Sequence, residues 1–365
     1  MSDPPLVSII TPSYNQAAYL EATICSVLAQ DYHPIEYLVV DGASTDGSAE
    51  IIQKYARLAP DCLAWWMSEP DSGQAEAINK GFQRARGEIV AWINSDDIYL
   101  PGAVRHAVAA LQAGPDLGMV FGDAITIDAR GVPLNRLTFG DWGLTELAGF
   151  RILCQPAVFM RRNTLERAGY LDQNYHCMLD HHLWIRIARQ APIRYAGGRD
   201  DGLWAAARHH ALAKNVSQAE AFSIEILRLQ AWVQGLPELS DQDHGLRQHI
   251  RGGAYRLNAR YLLDAGLPGA ALRSYGRALL ARPGFALKHW RRMLYALLEA
   301  VRFSGLTNTI DDYRREQSAR QSERMAKTLQ VELQHTLAGL PDASRSASCL
   351  PSPMTPERWP GLSLL

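Results

Sequence analysis

Short apolar runs rich in β-branched residues alternate with helical segments as far as Phe121, and three of these runs stop at a polar cluster. Leu6-Val7-Ser8-Ile9-Ile10-Thr11 ends at Pro12, Glu36-Tyr37-Leu38-Val39-Val40 ends at Asp41-Gly42, and Glu88 to Ile93 ends at Asn94-Ser95-Asp96-Asp97. β-branched and aromatic side chains favour a pleated backbone, whereas Pro, Gly, Asp and Asn break it. Apolar residues recur at helical spacing over Tyr19–Gln30, Ser48–Leu58, Ala75–Ala85 and Pro101–Ala113, with shorter strand-like runs at Leu63–Met67 and Gly118–Phe121. Strands separated by helices of roughly ten to fifteen residues need crossover connections, which predicts an α/β fold with a mostly parallel sheet covered on both faces. Ligands of such sheets bind outside the carboxyl ends of the strands. The clusters Thr11–Asn15, Asp41–Asp46 and Asn94–Asp97 all fall there.

Composition narrows the class. A chain of 365 residues with a 47% hydrophobic fraction has room for one large domain and a smaller one. Its formal net charge of -1 excludes a general nucleic-acid binder, which needs a basic excess. The cysteines Cys25, Cys62, Cys154, Cys177 and Cys349 form no CxxC pair, which points away from a zinc site and fits a reducing compartment. The start, MSDPPLVSIITPSYN, lacks the basic and apolar segments of a signal peptide, and no run reaches the ~20 apolar residues of a membrane span. A cytoplasmic protein is expected, at most peripheral at the inner face of the cell membrane.

From about Gln218 helical periodicity takes over, through FSIEILRLQAWV and then RLNARYLLDAGLPGAALRSYGRALLARP, a helical hairpin with a Gly/Pro turn. Residues 288–303 are basic and amphipathic, with Trp290, Leu294, Leu297 and Leu298 among Lys288, Arg291, Arg292 and Arg302; contact with an anionic membrane and packing on the hairpin are both open to them. The expected organisation is a catalytic domain over 1–217, a helical extension over 218–303, and a charged helix followed by a disordered tail over 304–365.

The motifs SIITPSYNQAAYLEATICSVLAQDY, YLVVDGASTDGS and GEIVAWINSDD occur in the order and spacing of a known family. Together they make residues from Leu6 to about Lys214 resemble the inverting family-two glycosyltransferases of the GT-A fold. The resemblance implies a Rossmann-like, nucleotide-diphospho-sugar transferase sheet and a metal-dependent transfer of a sugar from a nucleotide donor, a UDP-sugar in this reading. The acceptor would be a hydroxyl on a glycan or lipid-linked molecule in cell-surface polysaccharide synthesis.

Candidate site residues follow from the motifs. Asn94-Ser95-Asp96 matches the family's metal and diphosphate triplet, with an amide where an acid is common. A sugar nucleotide carries a diphosphate, and Mg²⁺ or Mn²⁺ with oxygen ligands is its natural partner. Asp96 is the metal ligand and Asn94 a donor contact, while Asp97 is open to ligation or to starting the next helix. Asp41, where a strand end delivers a carboxylate, matches the base-binding position; Asp46 reads instead as a helix cap. Asp71 and Lys80 resemble a second donor-binding stretch, Lys80 being equally readable as a solvated lysine. In Arg208-His209-His210-Ala211-Leu212-Ala213-Lys214, Arg208, His210 and Lys214 resemble residues closing over the diphosphate, with His210 a further metal candidate; a solvated basic loop reads equally well. Gln155 is the acceptor-side candidate. The family's general base matches Asp180 in Met178 to Arg186, where the apolar Leu179 precedes it; the alternative is a cap for a helix over Leu183–Arg189. Trp65, Trp66, Trp92 and Trp184 read as core.

Two rivals belong to other classes. A nucleotidyltransferase needs a Gly-rich, basic loop after the first strand, which Thr11-Pro12-Ser13-Tyr14-Asn15 lacks. A non-catalytic sugar-nucleotide-binding scaffold with a partner-binding helical C-terminus predicts decayed acids, whereas Asp41, Asp96 and Asp180 are all present.

Overall fold

The computed structural model describes residues 3–198, 202–210, 213–240 and 244–301. The tail expected over 304–365, with Arg302 and Phe303, lies outside the described residues.

The first half alternates as its sequence requires: β1 (Val7–Ser13), α1 (Ala17–Leu28), β2 (Ile35–Asp41), α2 (Ser48–Leu58), β3 (Leu63–Ser68), α3 (Gln74–Arg84) and β4 (Ile89–Trp92). The neighbours β3-β2-β1-β4 are all parallel, with Val7 opposite both Ile35 and Ile89. Because β2 and β3 build outward on one side of β1 and β4 lies on the other, the strand order reverses between β1 and β4. That reversal opens a crevice at the carboxyl ends of these two strands. Period-two alternation sends Val7 and Ile9 into the layer with Leu20 and Ile24 of α1, and Ile10 into the layer with Ile78 and Phe82 of α3.

Later elements are shorter: β5 (Ile98–Tyr99), α4 (Ala103–Gln112), β6 (Met119–Phe121), β7 (Asp123–Ile127), β8 (Pro133–Leu137), α5 (Leu144–Ala148), β9 (Val158–Arg161), α6 (Arg162–Ala168), α7 (Leu179–Ala188), β10 (Ile193–Tyr195) and β11 (Leu203–Arg208). Antiparallel β9 sits between β4 and β6, completing a seven-stranded sheet β10-β6-β9-β4-β1-β2-β3. A second sheet, β5-β11-β7-β8, brings Arg208 at the end of β11 back toward the β4 crevice. Helix α7 begins at Leu179, not Leu183, so Asp180 stands in its first turn and the N-cap position is Met178.

The C-terminal helices are α8 (Lys214–Ser217), α9 (Ala219–Gln234), α10 (Pro237–Ser240), α11 (His244–Asp264), α12 (Pro268–Ala281), α13 (Pro283–Ala286) and α14 (Trp290–Ala300). Phe222, Ile226, Leu229 and Val233 of α9 and Ile250, Ala254 and Leu257 of α11 join the same apolar cluster as Trp92 and Trp184. Gly253 lets α11 press its backbone against the chain after α5, since a Cβ there would stand 1.9 Å from the Gly149 carbonyl oxygen. Among the described residues no helix is long and apolar enough to cross a membrane.

Candidate active site

The turns after β1 and β2 are knitted together. Asn15 has a positive φ of 51°, donates its backbone N–H to Ser44 Oγ (2.8 Å) and accepts from the Thr45 amide at Oδ1 (3.0 Å). Asp41 is fully buried at the end of β2, where its carboxylate accepts from the Ser44 amide (2.9 Å), Ser44 Oγ (2.6 Å) and Ser68 Oγ (2.6 Å). Asp46 accepts from the Ser48 amide and from the Ala17 amide, so it ties α1 to α2, while the N-cap position of α2 is Gly47, one residue on from Asp46. Asp71 lies over the same strand end: a Cβ on Gly42 would meet Asp71 Oδ2 at 2.8 Å and the exposed Tyr14 ring at 3.2 Å. Burial pushes the Asp71 carboxyl above its ordinary range. Lys80 pairs with Glu69 and Glu76, each at 2.9 Å, and stands within electrostatic reach of Asp71.

After β4 the chain turns through Asn94 to Asp97. Asp96 Oδ2 lies 3.0 Å from His210 Nε2, with 19% of the Asp96 side chain exposed. Asp97 points inward and is braced rather than open: it accepts from the Arg208 amide (2.8 Å) and from Asn94 Nδ2 (3.3 Å). Burial, with Asp96 adjacent, pushes its carboxyl well above the usual range. Arg208 is buried, donates to the carbonyls of Asp96, Asp128 and Ala129, and lies over the Tyr19 ring at 4.9 Å, so its guanidinium is committed to holding the turn. The Tyr19 ring also flanks His210, with centroids 4.7 Å apart. Asn94 Oδ1 accepts from Gln74 Nε2 (2.7 Å), and Gln74 Oε1 accepts from Lys214 Nζ (2.7 Å). Gln74 thus joins the loop after β3, the turn after β4 and the chain after β11. Burial lowers the Lys214 ammonium from its ordinary range, and Asp180 and Asp71 both stand within its electrostatic reach.

The residues read from the sequence as acceptor-side and base candidates hang on the same strand. Trp92, the last residue of β4, stacks on Trp184 of α7 with centroids 5.0 Å apart, which ties the Asn94–Asp97 turn to the helix carrying Asp180. Both tryptophans are core, as read from the sequence. Gln155 Nε2 donates to the Trp92 carbonyl (2.7 Å), while its Oε1 is buried with no partner. Burial raises the Asp180 carboxyl to about 6, against the bond its Oδ1 accepts from the His181 amide. A carboxylate at that value is ionised at neutral pH yet basic enough to take a proton. His181 and His182 are core: burial lowers both to about 4, His181 faces the Leu147 carbonyl, and His182 packs between Tyr175 and Trp232. Neither is poised as a base.

Three site residues carried no local sequence signal. Tyr14 and Gln74 lie inside motifs that gave them no role, and Tyr19 looks like an ordinary residue at a helix start. Among the described residues no three His, Cys, Asp or Glu side chains gather closely enough to cage a metal alone. Asp96 with His210 fits a cation whose remaining ligands come from a diphosphate, a sharing usual for Mg²⁺.

Comparison with known proteins bears on this geometry. The model for Glycosyl transferase family 2 matches residues 8–181. An uncharacterized glycosyltransferase of Mycobacterium tuberculosis is 30% identical over 196 residues, 52% of this chain and 71% of the relative. The putative teichuronic acid biosynthesis glycosyltransferase TuaG of Bacillus subtilis is 45% identical over 93 residues, 26% of this chain and 36% of that one. The chain spans about a third of the length of the first curated relatives it matches. Among solved structures, a Pyrobaculum calidifontis mannosyltransferase in complex with GDP-Man and Mn²⁺ superposes with TM-score 0.53 at 22% identity, over 82% of this chain and 87% of that one. S. aureus TarS 1–349 in complex with UDP-GlcNAc gives 0.52 at 15%, over 85% and 91%. At such identities the two structures establish a shared fold.

Proposed function

The chain belongs to glycosyl transferase family 2, and from that membership we propose that it transfers a sugar, with inversion, from a nucleotide-diphosphate donor to an acceptor hydroxyl. The observation that carries the reading is the joining of two ends on one strand. Asp96 faces His210 just past β4, and the last residue of β4 stacks on the helix that bears Asp180. The exposed Tyr14 ring and Asp71 offer the nucleobase a face and an acceptor for an imide N–H, the pattern of a uracil edge, with buried Asp41 setting the loop beneath them. Asp96 and His210 would hold Mg²⁺ or Mn²⁺, which when bound supplies positive charge to the departing diphosphate. Asn94, held by Gln74, and Lys214 line the route between donor and base.

In the transfer itself the acceptor oxygen forms a bond to the anomeric carbon as the carbon–oxygen bond to the diphosphate breaks in line. Asp180 takes the hydroxyl proton as nucleophilicity is needed, and the electron pair of the broken bond leaves on the nucleoside diphosphate. Gln155, whose Oε1 is buried without a partner, is suited to accept from an acceptor hydroxyl. The relatives' printed roles in teichuronic acid and O-antigen synthesis support a cell-surface glycan or lipid-linked acceptor. Peripheral contact with the membrane belongs to the same reading. Leu287, Trp290, Leu294, Leu297 and Val301 are exposed at intervals of three and four residues along α14 and its lead-in, and no acid interrupts Ala265 to Leu298 while Arg273, Arg277, Arg282, Lys288, Arg291 and Arg292 fall within it.

The test is release of nucleoside diphosphate from UDP-N-acetylglucosamine and GDP-mannose, with Mn²⁺, by the parent chain, Asp96→Ala and Asp180→Asn. Turnover of one donor that both substitutions abolish is expected. Turnover unimpaired in both variants would refute the assignment.

A further inference from the structure

We propose that Glu225, on α9 and beyond the family-matched residues, is a positioning residue that clamps the backbone opening α7 and so sets where the Asp180 carboxylate stands. This rests on the reading of Asp180 as the base. Three consecutive amides converge on the one side chain: His176 N donates to Oε1, and Cys177 N and Met178 N donate to Oε2, each at 2.8 Å. Glu225 is 8% exposed. A buried carboxylate is costly unless its lone pairs are filled, and three charge-assisted bonds fill them here.

The Met178 amide belongs to the N-cap residue of α7, and those of His176 and Cys177 to the two residues that lead into it, so Glu225 grips the approach to the helix. Helix α7 has no side-chain cap of its own, although any Ser or Asp at position 178 would supply one locally. This grip from α9 makes the geometry of the base depend on a helix far along the chain. The rest of the segment is gripped by the same helix and by the site: Arg228 donates to the Asn174 carbonyl (2.9 Å) and lies 4.7 Å over the Tyr175 ring, and Lys214 Nζ donates to the His176 carbonyl (3.3 Å). Helix α9 is itself fixed, because Asn258 of α11 donates to Ser223 O and Oγ and accepts from Ser274 of α12. Charged or titratable groups facing Asp180 are Lys214, Glu225, Cys154, Cys177 and Tyr261 of α11, with the His181 amide on its own helix. Of these, Glu225 alone both carries negative charge toward Asp180 and holds its loop.

Hydrogen–deuterium exchange needs no substrate and reads the clamp directly. In Glu225→Gln, where an amide group replaces one acceptor oxygen, exchange at the 176–178 amides is expected to quicken about 10- to 100-fold, the loss of bonds to a charged group. Amides of Val7–Ile10 in β1 serve as the control for global unfolding; Glu225→Asp, still charged but one methylene shorter, is the second variant and should give an intermediate rate. Nucleoside diphosphate release from UDP-N-acetylglucosamine or GDP-mannose is then followed against pH. For Glu225→Gln, kcat should fall about 10- to 100-fold with KM for the donor little changed, as misplacement of a reacting group does. The acid limb should move to lower pH, because removing the negative neighbour favours the ionised Asp180. Unchanged exchange at 176–178, or unchanged kcat and acid limb in a variant whose Asp180→Asn counterpart is dead, overturns the proposal. If Asp180→Asn turns over normally, the base assignment fails on its own, and exchange still decides whether the clamp exists.

Discussion

Two glycines in adjacent C-terminal helices should respond to the same substitution with opposite signs. A methyl group at Gly253 would stand 1.9 Å from the Gly149 carbonyl oxygen and 2.6 Å from its carbon, whereas one at Gly276 meets nothing within 4 Å. Backbone cannot rotate aside as a side chain does, so α11 would have to retreat by about an ångström or more to restore contact distance. That retreat strains the Arg256 bond to the Phe150 carbonyl (3.0 Å) and opens the packing of Ile250, Ala254 and Leu257 against the Trp184 cluster. Overpacking of this kind costs about 1–3 kcal/mol, against which Ala gains about 1 kcal/mol of helix propensity over Gly. Gly253→Ala should therefore be destabilised by up to about 2 kcal/mol and Gly276→Ala stabilised by up to about 1 kcal/mol, since nothing offsets the propensity gain there. Thermal unfolding followed by circular dichroism, with urea titration as a second probe, reads both. A Gly253→Ala protein stabilised as much as Gly276→Ala would refute the close docking of α11 on the sheet domain.

Two further outcomes are expected of the site and of α14. Because burial holds the Asp180 carboxyl near 6, kcat/KM should fall as pH drops through about 6, where a base with a raised value becomes protonated and idle, and a profile flat down to pH 4.5 would contradict that role. Replacing Trp290 and Leu294 together by Ser should lower co-sedimentation with vesicles containing anionic lipid about 10-fold or more, given ~1.5–3 kcal/mol for each large side chain buried; unchanged binding would remove α14 from any membrane contact.

The strands and helices as far as β4 were legible because each element carries its own signal. Pro12, Asp41 and Asn94 stop β-branched runs, and the helices between show regular apolar spacing. The strands after β6 were not, although the helices α9, α11 and α12 were. β11 reads Leu-Trp-Ala-Ala-Ala-Arg, and alanine has little strand preference, so it is β7 and β5 on either side that make it a strand. Helix α7 starts a turn before its expected position, and the residues leading into it are held by Glu225 from another helix. The candidate acids were found by motif, but their surroundings depend on distant residues. Asp97 turns inward because the Arg208 amide waits for it at the end of β11, and Lys80, read as a possible phosphate contact, lies beside Glu69 and Glu76. Gln74 has no distinctive local pattern, and its role appears only when Asn94 and Lys214 are brought to its two ends.

In the proposed transfer Asp96 and His210 hold a cation shared with the donor's diphosphate. Isothermal titration of the chain with UDP and with GDP, in Mn²⁺ and in excess chelator, tests it most directly. Binding of one nucleotide is expected that needs Mn²⁺ and weakens at least about 10-fold in both Asp96→Ala and His210→Ala, the loss of one ligand contact worth about 1.4 kcal/mol or more. Equal affinity in chelator, or in both variants, would contradict it.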